Sequence, residues 1–451
     1  MESNGPPVRI VFWTRWFNGF MFDGNDLEIG RDCPIPSEYK DVPELATRES
    51  PWCVISPSRE NVQSATAVVF HAADYFPNEV PGRVENQPWI LETQESPLTA
   101  LFRMDAEKMK VFDYLASYHL KSNFLFSYYS PAIMDIANRP LPGDFMASKT
   151  GSAPILWIAR NCDASSGRQY YVEELMKYIK VDSYGSCLNN KKFPDGKSRE
   201  QLMREYKFYL AIENANCDDY VTEKLYDTFL ASAVPIVDGP ASYDGFIPTK
   251  GSVIRMDSYP DPRDLARYID YLDNNDTAYL EHLSFRRDAL DVSARDRLEA
   301  SFISNWSDPE FHNKRSSWCS VCRGMLPWWQ ARRSGAKSSP DPTPRDDRFI
   351  VDKTCMSPGK WDYAMDGPPY APEWSPSTPD LQLLPTNDNI KTMSDTKLPD
   401  NWNIDLDNPP LIVWIIGTIS GFAFLSFILL YVYRQNFHRN KLKKLTDALP
   451  L

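Results

Sequence analysis

Positive charge is in short supply in this sequence. Lys and Arg number 49 against 61 Asp and Glu, a net charge of −12 that repels nucleic acid over most of the surface. Any anionic ligand therefore needs a locally basic pocket. The chain has no second CxxC beside Cys319 and Cys322 and no His pair at finger spacing. That argues against zinc and leaves these two cysteines as disulfide candidates with pairing open. No internal repeat is present. No basic-apolar signal segment opens MESNGPPVRI; either the start is incomplete, which is the expectation, or the chain is inserted by its tail with the catalytic part cytosolic. Charge is also absent from Leu411 to Tyr433, 23 residues that are long enough to cross a hydrocarbon core of about 30 Å.

What is present fills in the class. At 451 residues, 42% hydrophobic and 24% charged, the chain is long and apolar enough for at least one large core. Thirteen of the 37 prolines fall between Pro340 and Pro410, so 331–410 reads as a tether. It leads to an expected membrane helix at 411–433 and a basic cytosolic tail at 434–451. The positive-inside rule then places everything earlier on the lumenal or extracellular side of a single-pass span. Eight cysteines suit an oxidising compartment, as do two N-glycosylation candidates, Asn275 and Asn305.

Short β-branched and aromatic runs recur along the globular part. In the first half they predict strands at Val8–Trp13, Ala67–His71, Trp89–Thr93 and Phe124–Tyr128, with a helix over Asp105–Tyr118. In the second half strands at Pro154–Arg160, Val181–Tyr184, Lys207–Glu213, Val234–Val237 and Ser252–Met256 alternate with helices at Gln169–Lys180, Glu200–Tyr206, Thr222–Ser232 and Pro262–Asp273. That alternation implies a parallel sheet covered on both faces, whose ligands sit beyond the C-terminal ends of its strands. The expected boundary between the halves lies near Pro142–Pro154.

The densest cluster of chemistry-bearing residues is Tyr209–Leu225, YLAIENANCDDYVTEKL. Lys224 falls in the first turn of its helix, where a cation opposes the positive end of the dipole by about 0.3–1 kcal/mol unless an anion sits between them. A phosphate would serve; a lysine pointing into solvent is the plain alternative. Upstream, Glu95 follows the strand Trp89–Thr93 and Glu92 lies three residues earlier; either alone reads as a solvated loop acid.

The cluster resembles the donor motif of the family 10 glycosyltransferases, the α1,3/4-fucosyltransferases. That motif runs from Glu-Asn through a short loop to Asp-Tyr and then Val/Ile-Thr-Glu-Lys. Asn214, Tyr220, Glu223 and Lys224 match it position by position. VPIVDGP at Val234–Pro240, the stretch from Asp257 to Tyr279 and the Cys319, Cys322 pair continue the resemblance. NCDASSGRQYYVEELMKYIKVDSYGSCLNN looks like the branch associated with protein O-fucosylation.

The resemblance implies an α/β fold of two Rossmann-like domains facing a cleft, GT-B type, to which the charge-free segment adds a C-terminal transmembrane helix. An acceptor-side domain would span 8–145 and a GDP-fucose-binding domain 150–330. Arg168 and Lys224 would neutralise the diphosphate, so that no metal or other cofactor is required, and Asn214, Tyr220 and Glu223 would hold ribose and fucose hydroxyls. Glu95, in Gln94-Glu-Ser-Pro97, matches the family's Glu-Ser-Pro and would be the base. The implied function is inverting transfer of L-fucose from GDP-fucose to a GlcNAc hydroxyl (α1,3 linkage) or a protein Ser/Thr. The implied partners are GDP-fucose, a glycoprotein or glycan acceptor and the membrane, with no nucleic acid, and the implied location is a Golgi or endoplasmic reticulum membrane, single-pass, with the catalytic domain lumenal. Alternatives are a transferase using another GDP-sugar and a non-catalytic lumenal binding protein. Three departures stand out: Ala215 in place of Ser, Tyr226-Asp227-Thr228 in place of an aromatic then Arg, and Asp238 in place of an apolar residue.

Overall fold

A computed structural model describes residues 6–30, 33–46, 51–288, 290–311, 317–341 and 354–376. Two mostly parallel sheets organise them. The first is ordered β2-β3-β1-β4-β5-β6-β7. Its strands are β1 (Val8–Phe12), β2 (Leu27–Ile29), β3 (Cys53–Ser56), β4 (Ala67–His71), β5 (Trp89–Thr93), β6 (Tyr114–Ser117) and β7 (Phe124–Leu125). Only β2 runs antiparallel to its neighbour. The second sheet is wholly parallel, ordered β12-β11-β10-β8-β9. It comprises β8 (Ile155–Ala159), β9 (Val181–Gly185), β10 (Phe208–Ile212), β11 (Val234–Asp238) and β12 (Ile254–Arg255). The central strands β4, β5, β10 and β11 are buried at every position. Sheets covered on both faces call for such continuous apolar runs rather than alternation.

The second half forms close to expectation, with the helix Pro262–Asp273 starting on an Asp261 cap and a proline in its first turn. The first half differs. Asp105 does cap a helix, but it spans only Ala106–Met109, and the chain then enters β6 instead of continuing to Tyr118. There Asp113 accepts from the Trp89 amide of β5 and from Arg83, so sheet pairing overrides the helical pattern.

The expected domain limits are corrected at the C-terminal side. The helices Trp318–Gly324 and Leu326–Ser334 do not belong to the second sheet; Val321, Cys322, Met325 and Leu326 join the core of the first with Val8, Ile10 and Ile55. Cys319 and Cys322 bond not to each other but to Cys33 and Cys53. Within one helical turn their side chains point at different neighbours, and each clamps this helix to the sheet, a constraint worth about 2–5 kcal/mol in small domains. Cys162–Cys187 and Cys217–Cys355 complete four disulfides. Part of the expected 331–410 tether is folded: 354–376 packs on the second domain, where Trp361 is fully buried.

The expected membrane helix also requires correction. Among the described residues no helix is long and apolar enough to cross a membrane. Residues 411–433 and the tail 434–451 lie outside the described residues.

Candidate active site

Strand β10 delivers the candidate donor residues. It ends at Ile212, Glu213 follows, and the loop 214–222 leads to the helix Glu223–Leu230, capped by Thr222. The Lys224 ammonium donates to Glu213 Oε2 at 2.8 Å and to Thr222 Oγ1 at 2.6 Å, with Glu223 Oε1 at 3.5 Å. The anion between Lys224 and the helix dipole is therefore Glu213, a residue whose role the sequence pattern did not reveal. Glu213 is 1% exposed; burial pushes its pKa up, and the Lys224 charge opposes the shift. Burial lowers the Lys224 pKa, but its carboxylate neighbours outweigh that and hold it above the ordinary value. The lysine thus stays charged, fixed at the strand end with its side chain 20% exposed.

Arg168 opens the helix Arg168–Leu175 and is buried, donating from Nη1 to the carbonyl of Ile212. It is not the surface arginine that its position beside a helix start would suggest. Burial depresses its pKa, and Glu213 offsets part of this. Arg168 Nε, Asn214 Oδ1 and Tyr243 Oη are buried with no hydrogen-bond partner among the described residues. Tyr243 belongs to the same neighbourhood, since a Cβ built on Gly239 would lie 3.0 Å from its hydroxyl and 3.1 Å from Glu213 Cγ. Each orphaned group costs about 1–3 kcal/mol, which a polar ligand at this strand end would recover. Glu223 is steadied by Arg199, 3.7 Å away, which also lies 3.5 Å from Asp227. Asp227 is one of the departures from the family pattern, and Arg199 is its counter-charge. Tyr226 shares a 2.7 Å hydrogen bond with Ser130 of the first half.

The first domain faces this loop with the end of β5. Glu95 is half-buried; its amide bonds Thr93 Oγ1, and its carbonyl accepts from Arg103 at 2.7 Å. Its carboxylate Oε2 accepts from Tyr220 Oη at 3.0 Å, so the expected base meets the donor motif directly. Burial, followed by the Glu95 charge, raises the Tyr220 pKa well above its ordinary value, so the phenol keeps its proton and donates. Tyr118 packs on Tyr220 at 4.9 Å, and Asp219 accepts from the Leu120 amide at 3.1 Å. Glu92, the alternative base, is fully buried within β5. Burial pushes its pKa up to about 8, with Arg103 opposing, so at neutral pH it is a carboxylic acid rather than a base.

Arg168, Asn214, Tyr220, Glu223 and Lys224 therefore gather at the end of β10, with Glu95 opposite. The glycosylation candidates lie elsewhere. Asn275 caps the helix Asp276–Glu281, and Asn305 Nδ2 faces the carbonyl of Gly245 at 3.4 Å, so a glycan on Asn305 would require that side chain to turn outward. Residues missed from sequence are Glu213, Arg199 and Tyr243. The first two were signalled by an acid and a base without assigned partners; Tyr243 carried no signal.

Comparison with known proteins identifies the family. The sequence model described as glycosyltransferase family 10 (fucosyltransferase) C-term matches residues 147–334, and that described as fucosyltransferase, N-terminal matches 6–129. A GDP-fucose protein O-fucosyltransferase 3 from Gallus gallus is 31% identical over 296 residues, covering 62% of each chain. The Xenopus laevis protein of that name is 32% identical over 238 residues, 49% of this chain and 50% of the other. An alpha-(1,3)-fucosyltransferase B from Drosophila melanogaster is 29% identical over 304 residues, 63% of this chain and 64% of the other. The chain spans about half to two thirds of the length of these relatives. A crystal structure of an α1,3-fucosyltransferase with GDP superposes with a TM-score of 0.44 at 15% identity, covering 76% of this chain and 95% of that one. With both domain models matched in order over most of its length, the chain belongs to glycosyltransferase family 10, the fucosyltransferases.

Proposed function

We propose that this enzyme transfers L-fucose from GDP-fucose to an acceptor hydroxyl by a single displacement with inversion, without an obligatory metal. The observation that carries the reading is the 3.0 Å contact between Glu95 and Tyr220, which sets a carboxylate across the cleft from the Arg168 and Lys224 cations. In the reaction the bond from the fucose anomeric carbon to the β-phosphate oxygen breaks while the acceptor oxygen bonds to that carbon. The acceptor proton passes to Glu95. Lys224 and Arg168, held in place before the reaction, stabilise the charge that grows on the departing diphosphate, which is the task a metal would otherwise perform. Asn214 and Glu223 supply acceptors for ribose and fucose hydroxyls.

The acceptor best supported is a Ser or Thr hydroxyl of a protein, since relatives at 31–32% identity are named protein O-fucosyltransferases. The Drosophila relative's name supports a GlcNAc hydroxyl as the second reading. Four disulfides among the described residues favour an oxidising lumen, that of the endoplasmic reticulum or Golgi.

The test offers radiolabelled GDP-fucose with folded Ser/Thr-bearing protein modules and GlcNAc-ended glycans as acceptors. Glu95→Gln should lower the transfer rate about 10²- to 10⁴-fold while GDP affinity stays within threefold. Gln keeps an oxygen for Tyr220 and loses only the basicity. A variant as fast as the wild type would remove Glu95 from the chemistry. A GDP-mannose arm that outpaces GDP-fucose would reassign the donor.

A further inference from the structure

The segment 354–376 lies against the donor side of the second domain, and its contacts concentrate on the two loops that carry Arg168 and Asn214. Cys355 is bonded to Cys217. The Met356 amide donates to Asn216 O at 2.8 Å, Gly359 N to Ser165 O at 2.7 Å, and Trp361 N to Ser166 O at 3.0 Å. Ser166 passes the connection on: its amide donates to Asn214 O at 3.0 Å, its hydroxyl donates to Glu213 O at 3.0 Å, and the same oxygen accepts from the Arg168 amide at 3.4 Å. Trp361 also packs edge-on against Tyr171 of the Arg168–Leu175 helix, at 4.6 Å. Approach is so close at Gly167 that a Cβ there would lie 2.3 Å from Asp362 Oδ1, and φ is +73° at this residue, a conformation that favours glycine.

Beneath the segment lies a buried ion pair. Asp238, at the end of β11, is 2% exposed and accepts from Lys360 Nζ at 2.6 Å, from Trp361 Nε1 at 2.8 Å and from Asn216 Nδ2 at 2.9 Å. The rings of Trp361 and Trp374 each lie 4.9 Å from the Lys360 ammonium. An aspartate at a strand position this buried is tolerated only with a cation supplied to it. That cation comes from a residue 122 positions later in the chain.

We infer that Thr354–Trp374 is a strap that sets donor affinity, with Lys360 and Trp361 as positioning residues that act through Asp238, Asn216 and Ser166 on Asn214 and Arg168. The inference rests on the donor reading above. Loss of the strap frees both loops at once, so GDP meets its ligands in scattered positions and must order them on binding.

The experiment measures GDP dissociation constants by calorimetry and melting temperatures for the full chain. The variants are Lys360→Met, Lys360→Met with Asp238→Asn, which removes the charge and keeps an oxygen for Trp361 and Asn216, Cys217→Ser with Cys355→Ser, and, as a control away from the strap, Cys33→Ser with Cys319→Ser. Lys360→Met and the Cys217, Cys355 double variant should weaken GDP at least tenfold in protein that remains folded. Replacing both members of the ion pair should bring affinity back to within threefold of wild type, because the strap can seat again without a stranded charge. The control should melt lower yet bind GDP as wild type does. Folded strap variants that bind GDP normally, or a control that loses affinity in proportion to its lost stability, would overturn the inference while leaving the donor reading intact. If the wild-type chain binds no GDP, the donor reading falls and the strap falls with it. Should the Lys360 variant not fold, hydrogen exchange on wild type decides: saturating GDP should slow the amides of Met356, Gly359 and Trp361 together with those of Asn214–Thr222, and unchanged exchange at the first three refutes the strap.

Discussion

Two strand ends meet at the cleft, and they are built in opposite ways. At the end of β10 the proposed donor-binding cations are embedded in a charge network: Lys224 on Glu213, Glu223 beside Arg199, Arg168 wedged under the Ile212 carbonyl. At the end of β5 a single half-buried carboxylate is held through its own backbone by Thr93 and Arg103, and its side chain touches Tyr220. On the proposed function, the contrast follows from what each side would have to do. A diphosphate needs charges fixed before it arrives, because their orientation cannot be paid for during the reaction. A base must take up a proton and release it again, which a carboxylate locked in an ion pair does poorly.

The contrast is broken most directly at Lys224. Lys224→Ala leaves Glu213 buried without its cation, so the variant should lose about 3–5 kcal/mol of stability in addition to donor binding, the usual cost of removing one member of a buried pair. Glu95→Gln should cost rate with little change in stability. Chemical denaturation of both variants beside wild type checks this. Equal stability losses would mean that the two ends are built alike.

A second break uses pH and the neighbour of the base. Folded Glu92 keeps its proton up to about 8, whereas in the unfolded chain it releases it near an ordinary 4.5. Between these values the folded state binds more protons. The stabilising contribution of this group is therefore full below pH 4.5, falls as pH rises by at most about 1.4 kcal/mol per unit, and levels off above pH 8. Glu92→Gln should remove this slope, so that the variant gains on wild type between pH 5 and pH 8 in melting experiments. If the two curves run parallel, Glu92 is ionised in the folded protein.

The second domain was the more legible in the sequence, for a physical reason. Its central strands β10 and β11 are fully buried, largely apolar runs, and helices such as Pro262–Asp273 carry their own caps, so local pattern and tertiary structure agree. The first domain misled where they disagree: Asp105 caps a helix that the pairing of Asp113 with β5 cuts short, and β3, only four residues long between Pro51 and Pro57, is too short to show a period. The candidate site was legible as residue types, Glu95 and Lys224 above all. What the sequence could not display was who neutralises whom, because those pairings cross long stretches of chain: Glu213 with Lys224 over 11 residues, Asp238 with Lys360 over 122. The departure at Asp238 was visible as an anomaly, and only the folded 354–376 segment explains it.

The smallest expected effect tests whether every charge in the β10 network matters equally. Arg199 is about one third exposed, as are its partners Glu223 and Asp227, at 3.7 and 3.5 Å. Solvent screens such pairs, so Arg199→Ala should cost only about 0.5 kcal/mol of stability. Its effect on donor binding should still be measurable, because Arg199 also donates to Tyr209 Oη at 3.2 Å and so fixes where Glu223 points. The KM for GDP-fucose should rise two- to threefold, with kcat unchanged, since a residue that orients a sugar ligand contributes equally to the ground and transition states. A tenfold fall in kcat would instead place Glu223 among the groups that act only as the glycosidic bond breaks. The division between a rigid donor end and a reactive acceptor end would then lie within the donor motif itself, between Lys224 and its neighbour.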